Sequence, residues 1–211
     1  AIHRGYNDPL FNIMKRIKLP SADYLRTKFI YEQETGKLVW ANGVRKGKEA
    51  GYPKESQSRV SEGKRIVTSY IYVKLQDKNL PEYKAGKKIY AHRIIWKMMM
   101  GEDLGKLSVD HVNGDGTDNR WKNLRKATFS QNAANREVTC RSKSGIKGVK
   151  RLETLYGVYR YRADIRKDGS SISLGTYDTL DEAIAARTRA EKRLYQEFAN
   201  PSIKAEYKLK D

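Results

Sequence analysis

The apolar residues of this chain come in short runs separated by turn-forming residues, and this spacing limits the elements that the chain can form. From Tyr24 the pattern changes to short β-like runs, such as Leu38-Val39-Trp40 and Ile66 to Leu75. Glu34-Thr35-Gly36-Lys37 and a polar loop at 42–64, rich in Lys, Ser and Gly, separate these runs. A helical period covers His92 to Met100 and ends at Gly101. This pattern predicts an α+β protein, and a length of 211 residues favours two small domains.

The charge balance indicates a polyanionic partner. The chain has 43 Lys and Arg against 25 Asp and Glu, a formal net charge of +18. Nucleic acid is favoured over a membrane surface, because the basic residues are spread through glycine-punctuated, tyrosine-rich segments and do not line one amphipathic helix. We find neither a long apolar run nor a signal peptide, so we expect a cytoplasmic protein. The lone Cys140 excludes an internal disulfide and a cysteine-cluster zinc site.

The segment from 109 to 132 contains residues suited to metal-assisted hydrolysis. Asp110 and Asn132 offer carboxylate and amide oxygens, which Mg²⁺ prefers as ligands. His111 can accept a proton from water. Sequence neighbours on a strand point to opposite faces, so Asp110 and His111 can serve one site only if the strand ends or bends there, as Val112-Asn113-Gly114 permits. The combination suits phosphodiester hydrolysis.

In order and spacing, these residues resemble the HNH endonuclease motif in its His-Asn-Asn form, as found in phages and mobile introns. The matching words are Tyr90-Ala91-His92-Arg93-Ile94-Ile95-Trp96, Val109 to Asp115, Asp118 to Arg125, and Asn132. The resemblance implies a ββα-metal nuclease core, with strands over 106–112 and 124–127. A helix would follow, opened by a capping box of Thr128 and Gln131. The β-rich segment before it would form an N-terminal extension.

The resemblance also implies roles for single residues. The protein would be a metal-dependent DNA endonuclease of homing or freestanding phage type, acting inside the infected bacterial host. Asp110 and Asn132 would hold one divalent metal ion, Mg²⁺ with Mn²⁺ as a substitute and not zinc. His111 would be the general base, and the side-chain carbonyl of Asn123 would orient its imidazole.

Other residues near the motif have more open interpretations. Asp115, Asp118 and Asn119 are expected to form turns, with support of the site as the alternative. His92 is expected to be structural rather than a second catalytic imidazole. Basic side chains around the motif, Arg120, Lys122 and Arg125, would grip the DNA backbone.

A second domain is predicted after a basic linker. Three alternating runs, Ile146 to Arg151, Gly157 to Lys167 and Ser170 to Tyr177, precede a helix that starts at Thr179. They predict a three-stranded antiparallel sheet packed by one helix. The expected division is an N-terminal arm or short helix at 1–22, a nuclease domain at 23–138, a linker at 139–145, a DNA-binding domain at 146–200 and a tail at 201–211.

This second domain resembles the ethylene-response-factor (Apetala) type of DNA-binding domain. The matching words are Ser144 to Val149, Tyr161-Arg162-Ala163-Asp164-Ile165, Leu174 to Tyr177, and Asp181 to Ala183, with Tyr161 where that family commonly has Trp. The expected DNA-binding residues are Lys147, Lys150, Arg160, Arg162 and Arg166. Strand alternation would place the three arginines on one face, able to enter a major groove.

Two other functions remain open from the sequence. The first is a sequence-specific DNA-binding protein or regulator whose nuclease-like fold performs no chemistry, and the second is an RNA-binding protein that uses its 14 tyrosines for stacking. The expected partner is double-stranded DNA, without a membrane or a small-molecule cofactor. One motif per chain means one active site, which favours nicking by a monomer, with a dimer as the alternative.

Overall fold

A computed structural model describes residues 18–58, 66–135 and 146–199. They form two compact units: residues 18–56 with 68–127, and residues 57–58 and 66–67 with 128–135 and 146–199. Both units combine helices with small sheets, so the predicted α+β class is confirmed. Within the described ranges, we find no helix with the length and apolar character needed to span a bilayer. Residues 1–17 of the predicted arm, the predicted linker and tail, and Cys140 lie outside these ranges.

The first unit contains two α-helices and three small sheets, apart from the strand-end residues 57–58 and 66–67. Its elements are α1 (Ala22–Lys28), β1 (Phe29–Glu32), β2 (Lys37–Trp40), β3 (Tyr52–Ser58), β4 (Ile66–Leu75), β5 (Lys87–Tyr90), α2 (Ala91–Met100), β6 (Ser108–His111) and β7 (Leu124–Ala127). The sheets have the strand orders β1-β2, β3-β4-β5 and β6-β7. The two-stranded sheets are antiparallel hairpins, and so is the pairing of β4 with β5.

Two local predictions for this unit were wrong. Tyr24 was assigned to a β-like segment but lies in α1, because the Ser21 side chain accepts a hydrogen bond from Tyr24 N and caps the helix. The predicted polar loop at 42–64 contains β3. That strand lies at a sheet edge, where pairing through backbone groups does not require alternating apolar side chains.

Helix α2 supplies much of the core of the first unit. Ile94 and Ile95 are fully buried, and Trp96 and Met98 nearly so. Gly101 ends the helix in the left-handed conformation that glycine adopts readily, as the sequence predicted. Helix α2 follows β5 directly and contacts β6, so the core fixes the strand that carries Asp110 and His111.

The second unit is a three-stranded antiparallel sheet with helices. Its elements are α3 (Phe129–Asn135), β8 (Val149–Glu153), β9 (Tyr159–Lys167), β10 (Ser170–Tyr177) and α4 (Leu180–Tyr195), with the sheet order β10-β9-β8. Thr179 and Glu182 form the capping box that starts α4. The buried Ala183 packs in one cluster with Val149 and Ala163.

Helix α3 groups with the second unit, although the sequence placed it in the domain at 23–138. Ser130 Oγ lies 3.1 Å from the Tyr195 hydroxyl and accepts a hydrogen bond from Asp168 N at 2.9 Å. Lys147 Nζ donates to the carbonyl oxygens of Ala133 and Ala134 at the end of α3. These contacts join α3 to the strands and helix that follow it.

Candidate active site

The β6–β7 hairpin positions the first two candidate residues. Asp110 pairs with Arg125 across the hairpin, and His111 pairs with Leu124. Strand β6 ends at His111, and Gly114 N donates a hydrogen bond to His111 O at 2.9 Å, which closes a turn. Gly114 has a φ of 77°, a conformation that costs glycine little. Strand β6 therefore ends at His111, which is the condition for Asp110 and His111 to serve one site.

The Asp110 carboxylate is buried and paired with a cation. Only 4% of the residue is exposed. Arg125 Nε and Nη2 both lie 2.8 Å from the same oxygen, Asp110 Oδ2. Two charge-assisted contacts fix the orientation of the carboxylate and offset the cost of burying its charge. Arg125, predicted from the sequence to contact DNA, thus pairs with the predicted metal ligand.

The His111 imidazole is held by Asn119. His111 Nε2 lies 3.0 Å from Asn119 Oδ1, and both residues are buried. The amide nitrogen of Asn119 faces Thr117 O at 3.5 Å, which is consistent with the oxygen facing the ring. An amide oxygen can only accept a hydrogen bond, so this contact favours the tautomer that has its proton on Nε2.

Aromatic rings surround the same imidazole. The His92 ring lies edge-on to His111, with centroids 5.0 Å apart and planes at 86°, and the Tyr70 ring is 6.0 Å away. Tyr90 stacks on the other ring of the pair, His92. His92 Nδ1 is buried and makes no hydrogen bond to any residue that the structure describes. This packing restricts the rotation of the His111 ring.

Both histidines favour the neutral form. Burial lowers the pKa of His111, against the opposing effects of the Asn119 hydrogen bond and the nearby Asp110 carboxylate. Burial also lowers the pKa of His92 well below its ordinary value, and the neighbouring His111 and Arg93 lower it further. A neutral imidazole at His111 is the form that can accept a proton.

Asn123 holds the loop that leads from β6 to β7. Its Oδ1 accepts from Asn113 N at 3.0 Å, while its Nδ2 donates to Asn113 Oδ1 at 3.0 Å and to Asp118 O at 2.7 Å. These bonds tie the two ends of the loop together. The predicted orienting role of Asn123 stays a prediction, and the structure assigns to Asn119 the hydrogen bond with His111 Nε2.

From the sequence, Asn119 was expected to form a turn, with support of the active site as the alternative. Several asparagines lie in this loop, and which of them reaches the ring depends on how the loop folds back. Tyr31 helps to position Asn119, because its hydroxyl donates a hydrogen bond to Asn119 O at 2.7 Å. That hydrogen bond joins positions 88 residues apart and has no local signature in the sequence.

Arg120 is held within the same loop. Its Nε lies 2.7 Å from Asp118 Oδ1 and its Nη2 lies 2.5 Å from Asp118 Oδ2. This guanidinium lowers the pKa of Asp118 to about 2. The Arg120 side chain is 41% exposed, so its predicted contact with DNA requires it to keep or exchange this ion pair.

The fourth predicted residue, Asn132, belongs to the second unit. It lies in α3, which opens with reciprocal hydrogen bonds between Thr128 and Gln131, as the sequence predicted. Within the described ranges, no three His, Cys, Asp or Glu side chains cluster in a way that can hold a metal. The pairing of Asp110 with Asn132 as ligands of one metal ion therefore stays a prediction from the sequence.

The predicted DNA-binding face of the second unit is only partly cationic. Arg160, Arg162 and Arg166 are exposed and alternate with the buried Ala163 and Ile165, as strand alternation predicted. Asp164 shares their face, and its carboxylate lies 3.0 Å from Arg162 Nε and 3.8 Å from Lys150 Nζ. Arg160 pairs with Asp178 at 2.9 Å. This face therefore carries surplus positive charge together with internal ion pairs.

Comparison with known proteins connects the site to a family. A family model described as HNH endonuclease matches residues 89–134, which include all four predicted active-site residues. An uncharacterized HNH endonuclease of Acanthamoeba polyphaga mimivirus is 28% identical over 116 residues, a stretch that covers 54% of this chain and 58% of the relative. No solved structure matches the chain. The comparisons therefore support an HNH endonuclease domain at residues 89–134, and with it a nuclease.

Proposed function

We propose that this protein is a metal-dependent DNA endonuclease that hydrolyses phosphodiester bonds. The observation that carries the proposal is the buried His111 imidazole, which Asn119 holds at 3.0 Å beside the Asp110 carboxylate. A protein that only binds DNA has no need of a neutral, oriented imidazole next to an acidic residue. We further propose a homing or freestanding phage type of enzyme that nicks one strand, since each chain has one motif.

His111 acts as the general base in this proposal. Its Nδ1 accepts the proton of the attacking water, because Nε2 is occupied by Asn119. General-base catalysis by a positioned side chain typically contributes about 10² to 10⁴ in rate. Asn119 fixes the tautomer, and the rings of His92 and Tyr70 restrict the rotation of the imidazole. Asn123 maintains the loop that carries Asn119.

Asp110 and Asn132 would hold the metal, for which we propose Mg²⁺ with Mn²⁺ as a substitute. When bound, a divalent ion supplies charge stabilisation for the phosphate and the leaving oxygen. The contribution of the chain is to orient the Asp110 carboxylate through Arg125 before any ligand arrives. Preorganisation of this kind reduces the rearrangement required on binding.

The second unit would bind double-stranded DNA. The sheet supports this proposal, because α4 packs on one side of it and Arg160, Arg162 and Arg166 are exposed on the other. We propose these arginines with Lys150 as DNA contacts. Lys147 donates hydrogen bonds to carbonyl oxygens at the end of α3, and we propose that it supports DNA binding by holding that helix in place.

One observation favours a second candidate, a DNA-binding protein that does not cleave. The carboxylate of Asp110 already forms an ion pair with Arg125 through two contacts. If that ion pair is permanent, the carboxylate has less affinity for a cation, and the fold serves binding alone. Cleavage assays separate the two candidates.

The test follows supercoiled plasmid DNA incubated with the full chain and Mg²⁺, Mn²⁺ or EDTA. We expect metal-dependent nicked product that Asp110→Ala and His111→Ala both abolish, while both variants keep their affinity for DNA. Asp23→Ala, a change at an exposed carboxylate, is the matched control and should cut normally. Binding without metal-dependent cleavage would favour the second candidate, and cleavage by His111→Ala at the normal rate would refute the assigned base.

A further inference from the structure

The segment from Asn42 to Lys48 is exposed along its whole length and is closed by several hydrogen bonds. Its base is closed by hydrogen bonds from Gly47 N to Trp40 O at 2.9 Å and from Trp40 N to Lys48 O at 3.0 Å. Two further turns inside it are closed from Lys46 N to Gly43 O and from Lys48 N to Arg45 O. The Asn42 side chain donates to Thr27 O at 2.7 Å. We call residues 42–48 the basic finger.

The basic finger presents three exposed cations. They are Arg45, Lys46 and Lys48, and none of them forms an ion pair within the described parts of the chain. The Arg45 guanidinium lies over the Trp40 ring at 5.3 Å, which holds one charge in a fixed place. Val44 is 99% exposed at the tip, so no part of the described chain covers the finger.

The hairpin that carries the basic finger is anchored to the candidate active site at its other end. The turn between β1 and β2 contacts the loop after His111, where Trp121 N donates to Gln33 O at 3.2 Å. A Cβ on Gly36 would lie 2.5 Å from Arg120 N, so only glycine allows this approach. Strand β2 has four residues and spans about 13 Å, which is roughly four base pairs of duplex rise.

We propose that the basic finger binds the phosphate backbone of duplex DNA a few base pairs to one side of the cleaved bond. This inference rests on the proposed function and names a binding surface for it. A loop held by its own hydrogen bonds loses less conformational freedom on binding than a lysine-rich loop without them. The shared hairpin fixes the distance between the finger and the His111 loop.

The first experiment measures the salt dependence of DNA binding. The full chain and the variant Arg45→Gln/Lys46→Gln/Lys48→Gln are titrated into a labelled mixed-sequence duplex in EDTA at several KCl concentrations. We expect the slope of log affinity against log salt to become shallower by about 0.9 for each phosphate that the variant no longer neutralises. The matched control changes the exposed Lys78, Lys84 and Lys88 to Gln, which removes the same charge from the same unit.

The outcomes separate the finger from net charge. An unchanged slope in the finger variant, or an equal change in the control, would overturn the proposal. Thermal melting of both variants shows whether each is folded, and a finger variant that does not fold is replaced by the single changes Lys46→Gln and Lys48→Gln. An unchanged salt slope in both single variants would then overturn the proposal, and a shallower slope would support it.

A second experiment locates the finger on DNA. Val44→Cys in a Cys140→Ser background is labelled with an iron chelate that cleaves nearby DNA, and its cuts are mapped against the cut made by the nuclease itself. We expect the chelate cuts on one side of the nuclease cut and within a few base pairs of it. Chelate cuts scattered evenly along the duplex would contradict the placement.

The two proposals can fail separately. If wild-type protein does not cleave plasmid DNA but the finger variant still has a shallower slope, the nuclease proposal fails and the finger remains a DNA-binding surface. If cleavage is normal and the slope is unchanged, the finger proposal alone fails.

Discussion

At the scale of residues, three polar side chains position the His111 imidazole and the Asp110 carboxylate. Asn119 contacts the ring, Asn123 closes the loop, and Arg125 holds Asp110. Each of these side chains is buried or partly buried, so its removal leaves a polar partner without its bond. This division leads to expectations for Asn119 and Arg125.

Asn119→Ala should lower the cleavage rate at saturating DNA by about 10-fold to 100-fold, because His111 loses the acceptor that fixes its tautomer. Asn119→Asp keeps an oxygen acceptor and should retain more activity than the alanine variant. Asn79→Ala removes an exposed amide elsewhere in the same unit and serves as the control. Plasmid-cleavage kinetics measure all three, and equal rates for wild type and Asn119→Ala would contradict the assignment.

Arg125→Gln should also reduce cleavage by about 10-fold to 100-fold, because Asp110 is then no longer held in its orientation. The salt slope of DNA binding should change by less than about 0.9, since the guanidinium faces the carboxylate rather than solvent. Lys126→Gln makes the same charge change at the neighbouring residue, which forms an exposed ion pair with Glu102. Intact cleavage with a shallower slope would instead support the phosphate contact predicted from the sequence.

At the scale of elements, a small polar network fixes α1 to the segment after β4. Asp77 Oδ2 accepts from the Tyr24 hydroxyl and lies 2.8 Å from Lys28 Nζ, and both partners are on α1. Asp77 Oδ1 accepts from Asn79 N at 2.8 Å. These contacts lower the pKa of Asp77, with the Lys28 hydrogen bond as the largest cause.

Asp77→Asn should lower the melting temperature by several degrees at neutral pH, because the ionised carboxylate is what Lys28 and Tyr24 bind. A lowered pKa in the folded state stabilises the protein above the ordinary carboxyl pKa of 3.8, and that stability is lost as the pH falls toward the folded-state value. The difference between wild type and variant should therefore shrink below about pH 3.8. Calorimetry across this range measures it.

The control for this network is Asp23→Asn. Asp23 pairs with Arg26 at 2.8 Å on the exposed side of the same helix, and exposed ion pairs contribute little. Its melting temperature should match that of the wild type throughout. A pH-independent difference for Asp77→Asn would show that packing, and not the charge, explains the effect.

At the scale of the whole molecule, the charge of +18 should dominate the affinity for DNA. Changing Arg160, Arg162 and Arg166 together to Gln should make the salt slope shallower by about 0.9 for each phosphate that these arginines neutralise in the wild type. The matched control changes Arg189, Lys192 and Arg193, which are exposed on α4. Equal effects in the two triple variants would mean that net charge, and not this sheet face, determines binding.

Most elements could be predicted from the sequence because their signals are local. The capping boxes at Thr128 and Thr179, the glycine after α2 and the alternation of β9 are each set by residues within one or two turns. Strand β3 and helix α1 escaped prediction, since an edge strand and a seven-residue helix gain their stability from neighbours. Local patterns do not encode such neighbours.

The sequence by itself determined the candidate chemistry, since residue types and spacing were enough to indicate Asp110, His111, Asn123 and Asn132 within the segment that the family comparison also matches. Tertiary structure decided the partners: Asn119 on the imidazole and Arg125 on the carboxylate. The physical reason is that hydrogen bonds and ion pairs depend on distances between atoms. Those distances are fixed only when a loop closes on itself and a hairpin pairs, through interactions between positions far apart in the chain.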